Sequence, residues 1–392
     1  MTNNPAKLSP LETAAGICIK ILLGALYGYI YLHYYNGDDT WRHHAYSIRE
    51  TELLLSDPLQ FLINEYTPVH ALADGAGWKQ VVQLYLADLQ YALFIKSFAI
   101  LNLITQGNYY ANMAVFNVVV FFGHLWLFKS LVSAYPGKRA MIYFGCFLFL
   151  PAVFWLSGLR IDGLLFFFVS LFTYAGSCLR GRRSNLLLLV AFAGAFICRV
   201  EIGALLLPAF VAVKLSGWRN MTPLRSFAAT YILAFFIFFT SGWWLPGGGF
   251  PGSIAKTQQL FSQLEGTRFH LPKLSADPFS YLQALPSAIA NTFLRPLPWE
   301  AKGFLQLAAA AEILVFWFLL LVAIIFRDRN WKKELAQPWL LFLLFFAISV
   351  YLSIGFVVPF PGAIIRYKAI ALLFLINLML ILIKFPSNVK KI

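Results

Sequence analysis

Long apolar runs recur from one end of the chain to the other, and they are the strongest constraint on its fold. Stretches such as VVVFFGHLWLF and LLFLLFFAISVYL are too apolar for the surface of a soluble domain. In lipid every backbone N–H and C=O group must be paired internally, so such runs cross a membrane as helices. With 60% hydrophobic and 12% charged residues, no soluble domain of ordinary size fits between them. The sequence predicts an all-α, polytopic transmembrane helical bundle.

The spacing of the apolar runs predicts about ten spans and a single transmembrane domain over 1–392. Two large segments, 35–108 and 246–302, are left outside the spans. Within the first, 81–105 carries Asp88, Gln90 and Lys96 and is predicted to lie at the membrane surface as an amphipathic helix. The predicted spans are 13–34, 109–132, 139–157, 163–179, 186–199, 203–216, 226–245, 303–326, 338–358 and 367–384.

Two of these runs, 186–199 and 203–216, are short, and Arg199 and Glu201 lie between them. We expect two half-length helices that meet at a polar point, a geometry tolerated in a membrane only where it lines a cavity. Arg199 is a candidate to bind phosphate or to pair with Glu201. Glu312 lies inside an apolar run and is expected to face the bundle interior, paired or protonated.

Basic residues cluster in the loops of one side of this topology, opposed there only by Asp328 and Glu334. By the positive-inside rule this side is cytoplasmic, which places both termini in the cytoplasm and the two large loops in the periplasm. The net charge of +14 therefore sets topology and does not indicate nucleic-acid binding. The residues concerned are Lys7, Lys129, Lys138, Arg139, Arg180, Arg182, Arg183, Lys214, Arg219, Arg225, Arg327, Arg329, Lys332, Lys333, Lys384, Lys390 and Lys391.

The stretch YNGDDTWRHHAY places two carboxylates directly after the first apolar run, at the start of the first large loop. Asp38 or Asp39 could act as a general base, or could cap the helix that follows. His43 and His44 point about 100° apart on a helix, so they do not form a metal site as readily as residues four apart. We expect them to be polar contacts at an interface or to bind substrate, and the sequence predicts no set of metal ligands.

The layout of the chain resembles a known family. The acidic start of the first loop, its surface helices, the turn FWLSGLRIDG at 154–163 and GAIIRYK at 362–368 together resemble the C-type (GT-C) polyprenyl-phosphate-dependent glycosyltransferases, most closely bacterial members. The resemblance covers nearly the whole chain as a layout. It departs from the family inside the turn, where a Lys-Asp pair is expected: here Ile161 precedes Asp162, and the basic residue is Arg160.

This resemblance implies a multi-pass bacterial inner-membrane glycosyltransferase with a periplasmic active site. It would move a sugar from a polyprenyl-phosphate donor to a glycan, lipid-linked or protein acceptor. The family's acidic base matches Asp39 or Asp38, and its phosphate-binding arginine matches Arg366. The other substrate-binding candidates are Arg295, Arg199, Asp162, Glu201, His43 and His44, and Lys368 is expected to be a membrane-surface anchor. No cofactor is implied with certainty, and catalysis either needs no metal or uses one divalent cation.

A transporter or flippase of lipid-linked saccharides is the alternative, because it too would need buried charges and a phosphate site. A repeat-built transporter tends to have broken helices in corresponding halves. Here the polar residues concentrate in the outer loops and at the outer ends of spans. The pattern favours the transferase.

Overall fold

The computed structural model describes residues 5–64, 78–245, 247–266 and 268–384, and every regular element in them is a helix, as predicted. In chain order the α-helices are α1 (Pro10–Tyr34), α2 (Asp38–Ser56), α3 (Pro58–Ile63), α4 (Trp78–Tyr91), α5 (Ser97–Thr105), α6 (Tyr109–Ala134), α7 (Arg139–Tyr143), α8 (Leu150–Trp155), α9 (Ile161–Cys178), α10 (Gly181–Cys198), α11 (Val200–Leu215), α12 (Pro223–Trp244), α13 (Gly249–Gln263), α14 (Pro278–Ile289), α15 (Phe304–Ile325), α16 (Trp331–Leu335), α17 (Pro338–Val357), α18 (Pro361–Tyr367) and α19 (Ala369–Leu382). Lys390 and Lys391 lie outside the described residues, as does 65–77 of the first predicted loop.

Eight of the described helices are long and apolar enough to cross a membrane, and α18 with α19 would make a ninth if that bent pair is one span. Two predicted spans are not single straight helices. The run 139–157 divides into α7, a π-helical segment and α8, because Pro151 in the first turn of α8 has no N–H to continue the preceding helix. The last predicted span, 367–384, contains α19, a helix of 14 residues, and begins where α18 meets α19 at a bend of 56°.

The break predicted at Arg199 is confirmed, since this residue has extended backbone angles between α10 and α11. The prediction that 186–199 is a half-length helix is wrong. Helix α10 begins at Gly181 and has 18 residues, because the polar residues at its start also adopt helical structure. Helix α11 has 16 residues and is not among the candidate spans.

The helices group into two compact units. Unit 1 comprises Met1–Pro136 and Cys146–Gly203, and unit 2 comprises Gly137–Gly145 and Ala204–Ile392. In unit 1, α6 packs on α1 and α9, and α9 packs on α10. In unit 2, α17 packs on α19, α14, α13 and α12. Each unit thus has a long helix in contact with several neighbours.

Glycines let α1 approach α6 closely. A Cβ atom at Gly24 would lie 2.5 Å from the side chains of both Asn117 and Met113, and one at Gly28 would lie 2.5 Å from the ring of Tyr109. Real Cβ atoms essentially never make contacts this short, so a larger residue at either position would force the neighbouring side chains to shift. The pairing of Gly28 with Tyr109 also sets which ends meet: the end of α1 lies beside the start of α6.

Unit 1 therefore has two distinct ends. At the polar end, defined by Asp38, Tyr109, Arg160 and Arg199, α1 and α10 finish while α6 and α9 begin. At the lysine end, defined by Lys7, Lys129 and Cys178, α1 begins while α6 and α9 finish.

The segment predicted to lie at the membrane surface forms a helix over Leu84–Thr105 that passes the length and apolarity test for a span. Residues near both of its ends nevertheless contact the polar end of unit 1. Gln90 donates to the backbone carbonyl of Cys198, and Asn102 accepts from Asn112 Nδ2 at 2.6 Å. A spanning helix would reach both ends of the unit, whereas both of these contacts are made at one end. They favour the prediction that this helix lies at the membrane surface.

Candidate functional site

A sharp turn between α1 and α2 brings the two predicted carboxylates to the polar end. Asn36, Gly37 and Asp38 have positive φ angles of 52°, 89° and 43°, a region that glycine enters freely and that Asn and Asp tolerate. The N–H of Gly37 donates to the carbonyl of Tyr31 at 2.8 Å, which closes the end of α1. The sequence Asn-Gly-Asp thus reverses the chain within three residues.

The expectation that one carboxylate caps α2 is wrong. The N-cap residue is Gly37, and no side chain makes a capping hydrogen bond there. Asp38 and Asp39 instead occupy the first turn, where negative charge is favoured by the helix dipole. Their side chains are thus available for tertiary interactions.

Arg160 is the centre of the site. Its side chain is buried, and its guanidinium donates from Nη1 to Asp38 Oδ2 at 2.9 Å and to the Tyr27 hydroxyl at 3.2 Å. Nη2 donates to Asp39 Oδ2, and Nε lies 4.0 Å from Asp162 Oδ2. One buried cation therefore orients three carboxylates. Asp38 and Asp39 come more than 120 residues before Arg160 in the sequence, whereas Asp162 follows Arg160 with only Ile161 between them.

The turn that carries Arg160 is itself held by polar groups from inside unit 1. Lys20 donates to the Leu156 carbonyl at 2.9 Å and to Ser157 Oγ at 3.1 Å, and Asn117 donates to the Ser157 carbonyl at 2.8 Å. A lysine at the end of a short helix pairs well with its unsatisfied carbonyls. The guanidinium is thus fixed before any ligand arrives.

A second pair extends the charge network. Asp162, in the first turn of α9, is buried and accepts from Arg199 Nη2 at 3.1 Å. The alternative that Arg199 pairs with Glu201 is therefore wrong. Glu201 is exposed in the first turn of α11 and makes no hydrogen bond or ion pair with the described residues. Asp162 and Arg199 thus join the Arg160 network, and Glu201 does not.

Aromatic side chains fix the first turn of α2 from the other side. Trp41 stacks on Tyr109 with ring centroids 3.8 Å apart, and its Nε1 donates to the Gly28 carbonyl at 2.9 Å. The hydroxyls of Thr40 and Tyr109 share a hydrogen bond of 2.8 Å. Because these groups are rigid and buried, they restrict where Asp38 and Asp39 can move.

His43 and His44 lie one turn further along α2. Burial, together with the positive charges of Arg160 and Arg42, lowers the pKa of His43 to about 4, against the effect of a backbone hydrogen bond with Leu159. Burial also lowers the pKa of His44. Both imidazoles are therefore neutral at neutral pH. His43 Nδ1 is buried without a hydrogen-bond partner in the described part of the chain, so it can accept or donate one.

The charges of the site are balanced among its own side chains. Burial opposes the charge of Arg160, but Tyr27, Asp162 and Asp38 favour it, and its pKa is raised above the ordinary value. Asp38 and Asp39 are 36% and 27% exposed at their side chains, whereas Arg160 is only 3% exposed. The cation lies beneath, and the carboxylates are the part that a ligand can reach.

Asp38 and Asp39 differ in how fully they are engaged. Asp39 is paired with both Arg42 and Arg160, through different oxygens. Asp38 accepts from Arg160 through Oδ2, while its Oδ1 accepts nothing from the described residues. The more available proton acceptor is therefore Asp38.

Each carboxylate of the site is held by a guanidinium. Within the described ranges no three His, Cys, Asp or Glu side chains converge as metal ligands. Metal dependence of the reaction stays an open expectation, and no step below uses a metal.

The other predicted arginines belong to unit 2. Arg295 is held by Glu300 through its Nε and Nη2, and its guanidinium carbon lies 4.4 Å from the ring centroid of Phe269. Arg366, in the last turn of α18, lies 4.6 Å from the ring centroid of Tyr367. The structure thus places each arginine against a ring of its own unit.

Unit 2 also contains a buried ion pair. Lys368 Nζ lies 3.6 Å from Glu312 Oε1, and each side chain is 2% exposed. The prediction that Glu312 faces the interior with a partner is confirmed. The prediction that Lys368 is a surface anchor is wrong, because its ammonium is inside the unit and also donates to the Thr292 carbonyl at 3.4 Å.

Sequence reasoning did not select Arg160 as a site residue, although a signal was present. Arg160 and Asp162 are the only charged residues between Arg139 and Arg180. Two isolated charges within an apolar stretch must pair or reach water, and that cost indicates a functional or structural partner. The partners themselves could not be found from spacing, because they come from α1, α2 and the break after α10.

Comparisons with family models, with curated proteins and with solved structures found no match to this chain.

Proposed function

We propose that the polar end of unit 1 is the catalytic centre of a membrane glycosyltransferase that uses a polyprenyl-phosphate sugar as donor. The observation that carries the proposal is the pair of partly exposed carboxylates, Asp38 and Asp39, held over the buried Arg160 at the ends of apolar helices. The family resemblance places an acidic base at the same point of the chain. A general base needs a fixed position and access to its substrate, and this arrangement supplies both.

In the proposed reaction the acceptor hydroxyl oxygen attacks the anomeric carbon of the donor sugar. A new C–O bond forms, the bond between that carbon and the phosphate oxygen breaks, and its electron pair leaves with the phosphate. The hydroxyl proton passes to a carboxylate on the opposite side from the leaving group. Asp38 is the better candidate because its Oδ1 is unengaged, and Asp39 is the second.

The remaining residues of the site have supporting roles in this proposal. Arg160 orients both carboxylates through charge-assisted hydrogen bonds. Arg199 is half-buried beside Asp162 and could bind a phosphate or hydroxyl oxygen, as could the neutral His43. The family resemblance makes Arg366 the candidate for binding the donor phosphate, and the Arg295 guanidinium is already engaged by Glu300.

Substitution of the two carboxylates tests the proposed function. Asp→Asn keeps the size and much of the hydrogen bonding but removes the proton acceptor, so turnover of the variant that lacks the base should fall by about 10²–10⁴. Sugar transfer from a polyprenyl-phosphate donor is measured with purified Asp38→Asn and Asp39→Asn proteins, together with their melting temperatures.

Asp57→Asn is a matched control, because Asp57 is an exposed N-cap residue on the next helix and Asn caps equally well. Full turnover in both site variants would remove the carboxylates from the reaction. Movement of lipid-linked saccharide across vesicles without any transfer would instead support the flippase alternative.

We also infer that the protein lies in a bacterial inner membrane with the polar end in the periplasm. The basic residues Lys7, Lys129, Arg182 and Arg183 lie at or near the opposite ends of α1, α6 and α10, and the positive-inside rule assigns these ends to the cytoplasm. Reporter fusions after Arg183 should therefore read cytoplasmic, and fusions after Asp57 periplasmic. The same side for both would overturn the orientation.

A further inference from the structure

A cavity of about 520 Å³ lies at the lysine end of unit 1, at the other end of α1 from the carboxylates. Its lining comes from the start of α1 and from the last turns of α6 and α9. The volume is within the range of pockets that hold a small ligand. Its lining residues are Ala6, Lys7, Leu8, Thr13, Leu125, Lys129, Ser133, Tyr174 and Cys178.

The lining combines positive charge with hydrogen-bonding groups. Its described lining has two ammonium groups, from Lys7 and Lys129, and the hydroxyls of Ser133 and Tyr174, but no carboxylate; the Thr13 hydroxyl already donates to the Ser9 carbonyl at 3.0 Å. Such a set recognises an anion with several acceptor oxygens, and a phosphate group has that character.

The first turn of α1 does not itself form the anion site. Ser9 caps the helix by accepting from Glu12 N at 3.2 Å, and the Glu12 carboxylate accepts from Ser9 N at 2.7 Å. This reciprocal capping satisfies backbone donors that an anion would otherwise use. The lysine and hydroxyl side chains of the cavity therefore provide the recognition.

The cavity also has apolar walls. Leu8 and Leu125 line it, and it lies where three apolar helices begin or end, all of them candidate spans, of 25, 26 and 18 residues. In a membrane that these helices cross, their ends lie where the headgroups of phospholipids meet the acyl chains. On the side assigned to the cytoplasm, anionic lipids attract basic side chains.

We propose that this cavity binds a phosphate-bearing anion, supplied either by the headgroup of an anionic phospholipid or by a soluble phosphate compound. The site is separate from the proposed catalytic centre and does not depend on that function. Each lysine near an anionic group should contribute about a fivefold preference, so removal of both should abolish most of the selectivity.

The lipid source is tested with phosphatidylglycerol and phosphatidylcholine. The protein is placed in nanodiscs of an equimolar mixture of the two, and the lipids that remain bound after release are identified by native mass spectrometry. Wild type should retain phosphatidylglycerol in preference. Lys7→Gln/Lys129→Gln should retain both lipids equally, whereas Lys7→Arg/Lys129→Arg should keep the preference because the charge is retained.

Lys332→Gln/Lys333→Gln is the matched control, since it removes two exposed lysines from α16 of unit 2 and should leave the preference unchanged. The soluble source is tested by the melting temperature in detergent with and without inorganic phosphate. A rise in wild type that Lys7→Gln/Lys129→Gln loses would support the site with a soluble phosphate as its ligand. If neither measurement separates wild type from Lys7→Gln/Lys129→Gln, the proposal is overturned.

Discussion

The two units each contain buried charge, but they arrange it in opposite ways. In unit 1 the buried guanidinium of Arg160 holds Asp38 and Asp39, which remain partly exposed. In unit 2 Lys368 and Glu312 are both enclosed, each at 2% exposure. A closed pair can only stabilise or restrict its own unit, whereas an open one presents charge to a ligand. The difference indicates where chemistry can occur.

The contrast between the two units would fail if the buried pair of Lys368 and Glu312 were not needed for stability. Lys368→Met leaves Glu312 buried without its cation, so the free energy of unfolding should fall by about 3–5 kcal/mol. Adding Glu312→Leu removes the remaining charge and should restore most of the loss, because an apolar pair is often as stable as a buried ion pair. Denaturant unfolding in detergent micelles measures both variants.

Lys332→Met is the control for this series, since an exposed lysine on α16 should change stability by no more than about 0.5 kcal/mol. A Lys368→Met protein as stable as wild type would show that Glu312 does not need the cation. If Lys368→Met/Glu312→Leu is less stable than Lys368→Met, Glu312 stabilises the protein by contacts other than its pairing with Lys368.

The pH dependence of stability tests the charged site of unit 1, and the expected effect is smaller than that of Lys368→Met. His43 has a pKa of about 4 in the folded protein, below the ordinary value near 6.5. As the pH falls, the unfolded chain therefore binds a proton at this imidazole before the folded chain does. The stability that neutral His43 contributes is complete above pH 6.5 and is lost as the pH falls toward 4. The loss should be at most about 3 kcal/mol.

His43→Gln should flatten the fall in stability between pH 6.5 and 4, and His44→Gln should flatten it less, since the pKa of His44 is lowered by a smaller shift. The measurement is the melting temperature of each protein across this pH range. Equal pH profiles for wild type and His43→Gln would show that the imidazole is not held neutral by its surroundings.

The sequence predicted those parts of the fold that depend on one segment at a time. The apolar runs predicted helices such as α9 and α17, and the isolated polar residues predicted the break at Arg199. The run 139–157 was predicted as one helix because its hydropathy is continuous, and hydropathy does not register the effect of Pro151 on backbone pairing. Local patterns therefore gave the elements, but not all of their ends.

Only those features of the site that follow from a residue's position along the chain could be predicted from the sequence. Asp38 and Asp39 stand directly after the first apolar run, so their location at a helix end followed from the sequence. Their link to Arg160 did not, because it depends on how the turn between α8 and α9 packs against α1 and α2. The capping role was wrong for a related reason: the choice between a local hydrogen bond and a distant guanidinium is made by tertiary structure.

The close approach of α1 and α6 has a consequence for how this site can vary among related chains. Tyr109 occupies the space that a Cβ atom at Gly28 would need, and Trp41 rests on Tyr109 while bonding the Gly28 carbonyl. A larger residue at position 28 would displace that ring, and with it the first turn of α2 that carries the carboxylates. Gly28 and Tyr109 are therefore expected to covary, although neither touches Asp38.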